Sequence, residues 1–234
     1  MLTIIVPVFN EKKFVRTLLK KLINLKGLKK QIIVVDDGSS DGTDLILREE
    51  FEKNKHINKI LYHNKNKGKG AAIKTAQKYI KGNFVAIQDS DLEYDPKDLI
   101  KIYNLLKKNQ IDIIYGSRVL GKNKFQNTQN FTHFIRIWGN IFLTKISNLI
   151  NNQNLTDAHT CYKVFKSKVF KKIILKEKGF AFCPEVTTKI SNMNYKIYEI
   201  PISYNGRSYK DGKKINSLDG LIALIALVKY KFFN

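Results

Sequence analysis

Short apolar segments alternate with amphipathic stretches through the first half of the chain. Five runs rich in Val, Ile and Leu have the length of buried strands: residues 3–8, 31–35, 59–63, 84–88 and 112–115. Between them, residues 14–23, 70–81 and 97–108 repeat their apolar positions at helical spacing. Short buried strands that alternate with helices predict a three-layer α/β fold with a mostly parallel central sheet.

This alternation stops near residue 120. Residues 121–130 are polar and predict a loop, whereas residues 131–151 predict a long helix with an apolar stripe that includes Trp138. Arg136 and Lys145 flank that tryptophan, so the helix suits either a membrane interface or packing on the sheet edge. We expect one domain over residues 1–215. Residues 216–234 should form an apolar C-terminal helix that contacts a membrane or another subunit.

Composition limits the classes of protein that fit this chain. Its 234 residues are 43% hydrophobic and 26% charged, which is typical of one globular domain. No run reaches the ~20 apolar residues that span a bilayer, and the first residues lack the pattern of a signal peptide. Cys161 and Cys183 do not make a disulfide framework, so we expect reduced thiols in the cytoplasm. The net charge of +22 predicts an anionic partner: nucleic acid, an anionic membrane or phosphorylated small molecules.

An acidic segment directly after the fourth predicted strand holds the clearest chemistry. Asp89, Asp91 and Glu93 alternate by two, so in an extended segment their carboxylates would point the same way. Oxygen ligands at this density suit Mg²⁺ or Mn²⁺, which proteins commonly hold with one or two carboxylates and substrate phosphates. A solvated acidic turn is the alternative, because Asp and Ser both favour turns.

Polar residues also follow the first three predicted strands. Asn10 suits a helix N-cap and Glu11 suits the positive end of that helix, which explains both residues without a ligand. Asp36 and Asp37 precede a small-residue turn and predict either a base or ribose contact or ordinary turn chemistry. Residues 66–72 form a glycine-containing loop before the next helix. Loops that follow successive strands converge on one edge of a parallel sheet, so we expect one composite site.

Together these segments resemble family 2 glycosyltransferases of the GT-A fold, and most closely their dolichyl-phosphate mannose/glucose synthase-like branch, the polyprenyl-phosphate glycosyltransferases. Further matches in the second half extend the resemblance over nearly the whole chain. The matching segments are Val6-Pro7-Val8-Phe9-Asn10-Glu11, Val35-Asp36-Asp37-Gly38-Ser39-Ser40-Asp41-Gly42-Thr43, Asp89-Ser90-Asp91-Leu92-Glu93, Asp157 to Phe165, Phe182-Cys183-Pro184-Glu185, and Ile202 to Ile215.

The resemblance implies a role for each matching position. The nucleotide-sugar would contact Pro7, Phe9, Asn10, Glu11, Asp37, Lys69, Asp89, Ser90, Asp91, Arg118, Arg207 and Lys213. Mg²⁺ or Mn²⁺ would bind Asp91 and Glu93, with Asp89 beside them, and Asp89, Asp91 and Arg207 would be catalytic. The acceptor would meet Arg136, Asp157, Lys163 and Glu185. Phe9 stands where the family often has Tyr, and the C-terminal transmembrane helices of membrane-bound members have no counterpart here.

The expected reaction is inverting transfer of a hexose from a GDP-mannose- or UDP-glucose-type donor to polyprenyl or dolichyl phosphate. Such a phosphate is ionised at neutral pH, so no strong general base is required. For a sugar hydroxyl acceptor, Asp157 or Glu185 would be the candidate base. We expect a peripheral enzyme on the cytoplasmic face of an anionic membrane, without nucleic acid as a partner and with a possible homodimer.

Three alternatives remain at this point. One is a transferase of the same fold with a soluble or polysaccharide acceptor. Another is a non-catalytic basic module that binds membrane or nucleic acid. The third, a sugar-1-phosphate nucleotidyltransferase, is disfavoured because the first strand ends in Pro7-Val8-Phe9-Asn10-Glu11 rather than in a glycine-rich basic loop.

Overall fold

The structure is a computed structural model that describes residues 1–121, 131–207 and 217–233. Within those ranges, the side chains of residues 131–136 and of Ser217 are not described. The predicted polar loop over residues 121–130 therefore lies outside the described residues, apart from its first position.

Seven strands form one central sheet in the order β3-β2-β1-β4-β6-β5-β7. The strands are β1 (Leu2–Val8), β2 (Lys30–Asp36), β3 (Lys59–Tyr62), β4 (Phe84–Ile87), β5 (Ile113–Ser117), β6 (Lys163–Lys166) and β7 (Tyr198–Pro201). All neighbours are parallel except β6, which runs antiparallel to both β4 and β5. The prediction of a mostly parallel α/β sheet is confirmed.

Helices cover the sheet. They are α1 (Val15–Ile23), α2 (Thr43–Ile46), α3 (Lys69–Gln77), α4 (Asp98–Asn109), α5 (Phe131–Asn151), α6 (Ser167–Phe170), α7 (Phe182–Asn192) and α8 (Ser217–Phe232). A π-helical turn, Leu47–Phe51, continues α2. Helix α3 packs on β1 and β2, α4 packs on β5, and α8 contacts α5 and α7.

The sequence pattern explains the centre of the sheet. Strand β1 is buried at every position, because it lies between β2 and β4 and helices cover it. Its continuous apolar run is typical of a parallel strand with no solvent-facing side. Helix α1 buries Val15, Leu18, Leu19 and Leu22 on one face and leaves its lysines outside. The five predicted strands and the long helix at residues 131–151 are present, whereas β6 and β7 were not predicted.

Strand direction brings the chemistry to one edge. Strands β1, β2 and β4 run parallel to one another, so Val8, Asp36 and Ile87 end at the same side of the sheet. Loops that leave this edge form the usual ligand crevice of an open α/β sheet. In the described part of the chain, no helix combines the length and the apolar character needed to cross a bilayer. The predicted division at residue 215 stays a prediction.

Candidate active site

Side-chain hydrogen bonds tie the end of β1 and the loop after it to the loops that follow β2 and β4. The Ser90 hydroxyl, after β4, donates to the Pro7 carbonyl oxygen at 3.1 Å. The Asn10 N–H donates to Ser39 Oγ at 2.9 Å, and Asn10 Oδ1 accepts from the Ser40 N–H at 2.8 Å. Three sequence-distant segments therefore form one base for the site.

The N-cap prediction for Asn10 was wrong. Helix α1 begins only at Val15, and the Phe14 N–H donates instead to the Glu11 carbonyl. Asn10 adopts a left-handed conformation with φ of 49°, which Asn tolerates better than most residues. The Asn10 amide oxygen thus accepts a hydrogen bond from the loop after β2. The Glu11 carboxylate pairs with Arg207 rather than with a helix end.

Asp37 organises the loop that follows β3. Its carboxylate accepts the N–H groups of Lys67 at 3.0 Å and Gly68 at 2.7 Å, and lies 2.6 Å from His63 Nδ1. The other ring nitrogen of His63 is 2.9 Å from Thr75 Oγ1 on α3. The buried Asp37 carboxylate therefore holds the loop between β3 and α3 in place. Its predicted contact with the nucleoside stays a prediction.

The acidic segment is a turn, and the expected extended geometry was wrong. Leu92 has φ of 62°, and the Glu93 N–H donates to Asp91 Oδ1 at 3.1 Å, as in an Asx turn. The carboxylates consequently face different cations. Asp89 Oδ1 lies 2.6 Å from Nζ of Lys69, the first residue of α3. Burial is the largest single influence on the pKa of Lys69 and lowers it, but the charge and hydrogen bond of Asp89 together with Cys161 and Cys183 outweigh burial, so the net shift is upward.

Arg207 joins the other two carboxylates to Glu11. Its guanidinium lies 3.0 Å from Glu11 Oε2, 3.0 Å from Asp91 Oδ2 and 3.7 Å from Glu93 Oε1. The backbone N–H of Arg207 also donates to Glu93 Oε1 at 2.7 Å, and the Tyr204 hydroxyl donates to Glu93 Oε2 at 2.9 Å. One cation thus compensates acidic groups from two loops at the carboxyl edge of the sheet.

Within this group, the surroundings of Asp91 disfavour the ionised form of its carboxylate. Burial, followed by the charges of Asp89 and Glu93, raises the pKa of Asp91 to about 7 although Arg207 opposes the shift. A further cation at this position would favour the ionised carboxylate. No set of three His, Cys, Asp or Glu side chains within the described ranges is arranged to hold a metal ion. The donor chemistry of Asp91 and Glu93 nevertheless fits a hard divalent ion.

Arg118 and Asp157 form a second pair, in which the Asp157 carboxylate is fully buried and the Arg118 side chain is 23% exposed. Arg118 Nε lies 2.7 Å and Nη2 2.8 Å from the two Asp157 oxygens, and Asn140 donates to Asp157 Oδ1 at 3.1 Å. Burial raises the pKa of Asp157, but Arg118 and Asn140 outweigh it and the net shift is downward. The Arg118 guanidinium also lies 5.2 Å from the Tyr204 ring centre. The pair therefore borders the Arg207 cluster through Tyr204.

The other predicted acceptor residues have internal partners. Lys163 is fully buried, donates to the Ala158 carbonyl at 2.6 Å and lies 3.8 Å from the Tyr115 ring centre. Glu185 is also fully buried and accepts the N–H groups of Lys176 and Glu177. Neither side chain reaches the Arg207 cluster in this structure. The side chain of Arg136 and the whole of Lys213 lie outside the described residues.

The remaining predicted residues are placed as follows. Phe9 directly follows β1 and is half-buried. Both cysteines are free thiols, Cys161 buried and Cys183 half-buried. Burial lowers the pKa of His159 to about 4, so its imidazole is neutral at physiological pH.

Sequence reasoning missed three contributors: His63, Asn140 and Tyr204. Tyr204 lies within the motif around residues 202–207, so its position next to Arg207 was a usable signal. His63 ends the third predicted strand run, and no local pattern indicates that it meets Asp37. Asn140 lies on α5, and only the tertiary fold brings it to Asp157.

Comparisons with known proteins identify the family. The profile described as "Glycosyl transferase family 2" matches residues 3–174, which include β1 except its first residue, β2 to β6 and the acidic segment. The chain belongs to glycosyl transferase family 2. It is therefore a glycosyltransferase, and the predicted family and enzyme class are confirmed.

The names of two relatives describe them as transferases that act on dolichyl phosphate. The UDP-N-acetylglucosamine–dolichyl-phosphate N-acetylglucosaminyltransferase of Methanococcus voltae is 26% identical, over 97% of this chain and 95% of its own length. The dolichol-phosphate mannosyltransferase of Pyrococcus furiosus is 27% identical, over 90% of this chain and 58% of its own length. The glycosyltransferase described here is thus similar in sequence to lipid-phosphate enzymes.

A solved structure supports the fold. Glucosyl-3-phosphoglycerate synthase from Mycobacterium tuberculosis, solved with Mn²⁺, UDP and phosphoglyceric acid, superposes with a TM-score of 0.74. The match covers all of this chain and 79% of that chain at 12% sequence identity. At this identity the likeness concerns the fold, and the predicted GT-A fold is confirmed.

Proposed function

We propose that this glycosyltransferase moves a hexose from a nucleotide-diphosphate sugar to a polyprenyl phosphate, with inversion at the anomeric carbon. The observation that carries the proposal is the group formed by Arg207 with Glu11, Asp91 and Glu93 at the carboxyl edge of the sheet. It places an arginine and hard-oxygen ligands where α/β folds bind ligands. The activities for which the two dolichyl-phosphate relatives are named support the acceptor class.

The donor side follows from charge. A nucleoside diphosphate leaving group gains negative charge as the glycosidic bond breaks, and a divalent ion neutralises that charge when it is bound. Asp91 and Glu93 would hold Mg²⁺ or Mn²⁺, because both carboxylates are largely withdrawn from solvent and already face a cation. Lys69 would keep Asp89 oriented toward the donor sugar from the start of α3. Some of the guanidinium N–H groups of Arg207 would donate hydrogen bonds to the diphosphate.

The acceptor side needs little proton chemistry. A polyprenyl phosphate is an anion before it reacts, so its oxygen attacks the anomeric carbon without losing a proton in the transition state. Positioning and electrostatic stabilisation then supply most of the rate enhancement. We place Asp157 in this scheme as a positioning residue, since its carboxylate is fully buried and holds Arg118. Acceptor roles for Arg136, Lys163 and Glu185, and donor roles for Phe9, Asn10 and Lys213, stay predictions.

A donor and acceptor panel tests the proposal. UDP- and GDP-linked hexoses are incubated with Mn²⁺, with or without polyprenyl phosphate, and radiolabelled product is partitioned between organic solvent and water. Organic-phase product that requires both polyprenyl phosphate and metal is the expected result. Water-phase product from a soluble acceptor would instead establish the alternative transferase function.

Two variants assign the activity to the site. Asp91→Asn should abolish the organic-phase product at saturating metal. Asp112→Asn is the matched control, because Asp112 precedes β5 at the opposite edge of the sheet and pairs with Lys166. Full turnover by the Asp91→Asn enzyme would overturn the metal-dependent scheme.

A further inference from the structure

Helix α8 presents a long apolar face to solvent. Ile225 is 58% exposed and Leu221 is 56% exposed, although the opposite face of the helix is buried through Ala226, Leu227 and Tyr230. The exposed positions repeat at helical spacing and so form one stripe. Its members are Leu218, Leu221, Ile222, Ile225, Val228 and Phe232.

Helix α5, which contacts α8, carries a second exposed stripe. Trp138, Phe142 and Leu149 are 55%, 59% and 85% exposed, and Lys145 lies on the same stripe and is also exposed. The two helices contact each other, and a Cβ at Gly220 would lie 4.0 Å from Leu143 Cδ1. We call these two stripes together the α5–α8 face. Exposed apolar stripes of this length mark interaction sites rather than ordinary surface.

Charge decides between the candidate occupants of the face. The chain carries 42 Lys and Arg against 20 Asp and Glu, a net charge of +22, so a second copy would be repelled. In sequence, α5 and α8 contribute Arg136, Lys145, Lys229 and Lys231 but only one acidic residue, Asp219. Helices with apolar and aromatic residues beside lysines lie in the headgroup region of anionic bilayers. Basic residues near such a surface strengthen this attraction.

We infer that the α5–α8 face docks on the surface of a bilayer that contains anionic phospholipids. The inference rests on the proposed function in one respect, since a polyprenyl phosphate acceptor is itself embedded in a bilayer. Neither helix needs to cross the membrane for this contact. The face instead supplies the anchor that keeps the enzyme at the acceptor's surface.

Contacts within the chain connect this face to the donor site. Lys229 Nζ lies 2.9 Å and Tyr230 Oη 2.6 Å from Glu177 Oε1, in the loop before α7. The carbonyl of the next residue in that loop, Lys178, accepts the Ala71 N–H at 3.0 Å in the first turn of α3. Lys69 of the same turn pairs with Asp89. A short series of direct contacts therefore runs from the docking helix to the carboxylates of the site.

Vesicle co-sedimentation tests the inference with the full chain. Vesicles of phosphatidylcholine alone are compared with vesicles that also contain phosphatidylglycerol, at low and high salt and without substrates. We expect binding to the anionic vesicles only, weakened by salt. Leu221→Ser combined with Ile225→Ser should reduce binding at least about tenfold, because two apolar side chains no longer leave water. Leu45→Ser is the control, because Leu45 is 56% exposed on α2 and should leave binding unchanged.

Each other outcome has a defined meaning. Absence of binding to anionic vesicles, or equal binding by the double variant with an unchanged circular dichroism spectrum, would overturn the inference. A dimer seen by analytical ultracentrifugation that the double variant abolishes would assign the face to a second copy and also overturn it. Vesicle binding without transfer to polyprenyl phosphate would count against the proposed function alone. Transfer without vesicle binding would count against the docking face alone.

Discussion

Arg207 Nη2 lies 3.0 Å from Asp91 Oδ2, and the two residues are separated by 116 positions in the sequence. The same guanidinium reaches Glu11, so it serves as the counter-charge of a buried acidic group. A divalent ion bound to Asp91 would supply that counter-charge itself. Arg207 and the metal should therefore substitute for each other in stabilising this part of the fold.

Replacing Arg207 by Ala should make the protein more dependent on metal. Without the guanidinium, Glu11, Asp91 and Glu93 repel one another in a partly buried site, and the melting temperature should fall. Mn²⁺ should then raise the melting temperature of Arg207→Ala more than that of the wild type, as measured by thermal unfolding. Arg16→Ala is the control, since Arg16 pairs with Glu50 on the surface. Equal Mn²⁺ shifts in Arg207→Ala and the wild type would show that the arginine and the metal do not share these carboxylates.

Lys69→Ala should impair donor use while the fold survives. Lys69 begins α3 and its Nζ lies 2.6 Å from Asp89 Oδ1, so its loss leaves that carboxylate without its cation. We expect kcat/KM for the nucleotide-sugar to fall by roughly 100-fold, an effect of about 2.7 kcal/mol on the transition state. The neighbouring exposed side chain of Lys67 provides a matched control, and Lys67→Ala should keep wild-type kinetics. A Lys69→Ala enzyme with unaltered kcat/KM would remove Lys69 from the donor site.

The sequence predicted the parts of the site that depend on strand direction. Strands β1, β2 and β4 were recognisable as continuous apolar runs, and their parallel order is sufficient to bring Glu11, Asp37 and Asp89 to one edge. The pairing of individual charges was not predictable. An alternation of two suggested three parallel carboxylates, but the left-handed Leu92 closes a turn that directs Asp89 to Lys69 and Asp91 to Arg207.

The missed strands have a physical reason as well. Strand β6 is only the four residues Lys163–Lys166, and a lysine at each end hides its apolar centre. Lys163 is nevertheless buried, because the Ala158 carbonyl and the Tyr115 ring receive its ammonium group. Such compensation is tertiary, so a local pattern cannot reveal it. The prediction that Lys163 meets the acceptor takes no account of these two partners, because only the fold brings them to the ammonium group.

The Arg118–Asp157 pair should make stability depend on acidic pH. The folded-state pKa of Asp157 lies below its ordinary value, so the pair's contribution is present above about pH 4 and is lost as pH falls through the lower folded-state pKa. The free energy of unfolding, measured by urea titration from neutral pH down to about pH 3, should decline in that window. Asp157→Asn should show a shallower decline.

The same variant also tests the cost of removing the fully buried carboxylate that pairs with Arg118. At neutral pH, Asp157→Asn should lose about 3–5 kcal/mol, since it leaves Arg118 without a carboxylate. The double variant Arg118→Met with Asp157→Asn should recover part of that loss. A single variant as stable as the wild type would mean that the pair contributes little to the fold.

Gly70→Ala should destabilise the first turn of α3, which carries Lys69. A Cβ at Gly70 would lie 2.3 Å from the Glu177 carbonyl oxygen, a backbone atom that cannot move aside as a side chain would. We expect a loss of about 1–3 kcal/mol in the free energy of unfolding, as for other overpacked sites, measured by urea denaturation. Gly179→Ala is the control in the facing loop, because a Cβ there would meet no described atom within 4 Å. Since Glu177 also binds Lys229 and Tyr230, an intact Gly70→Ala protein would indicate that the contact series from α8 to the donor site is loose rather than packed.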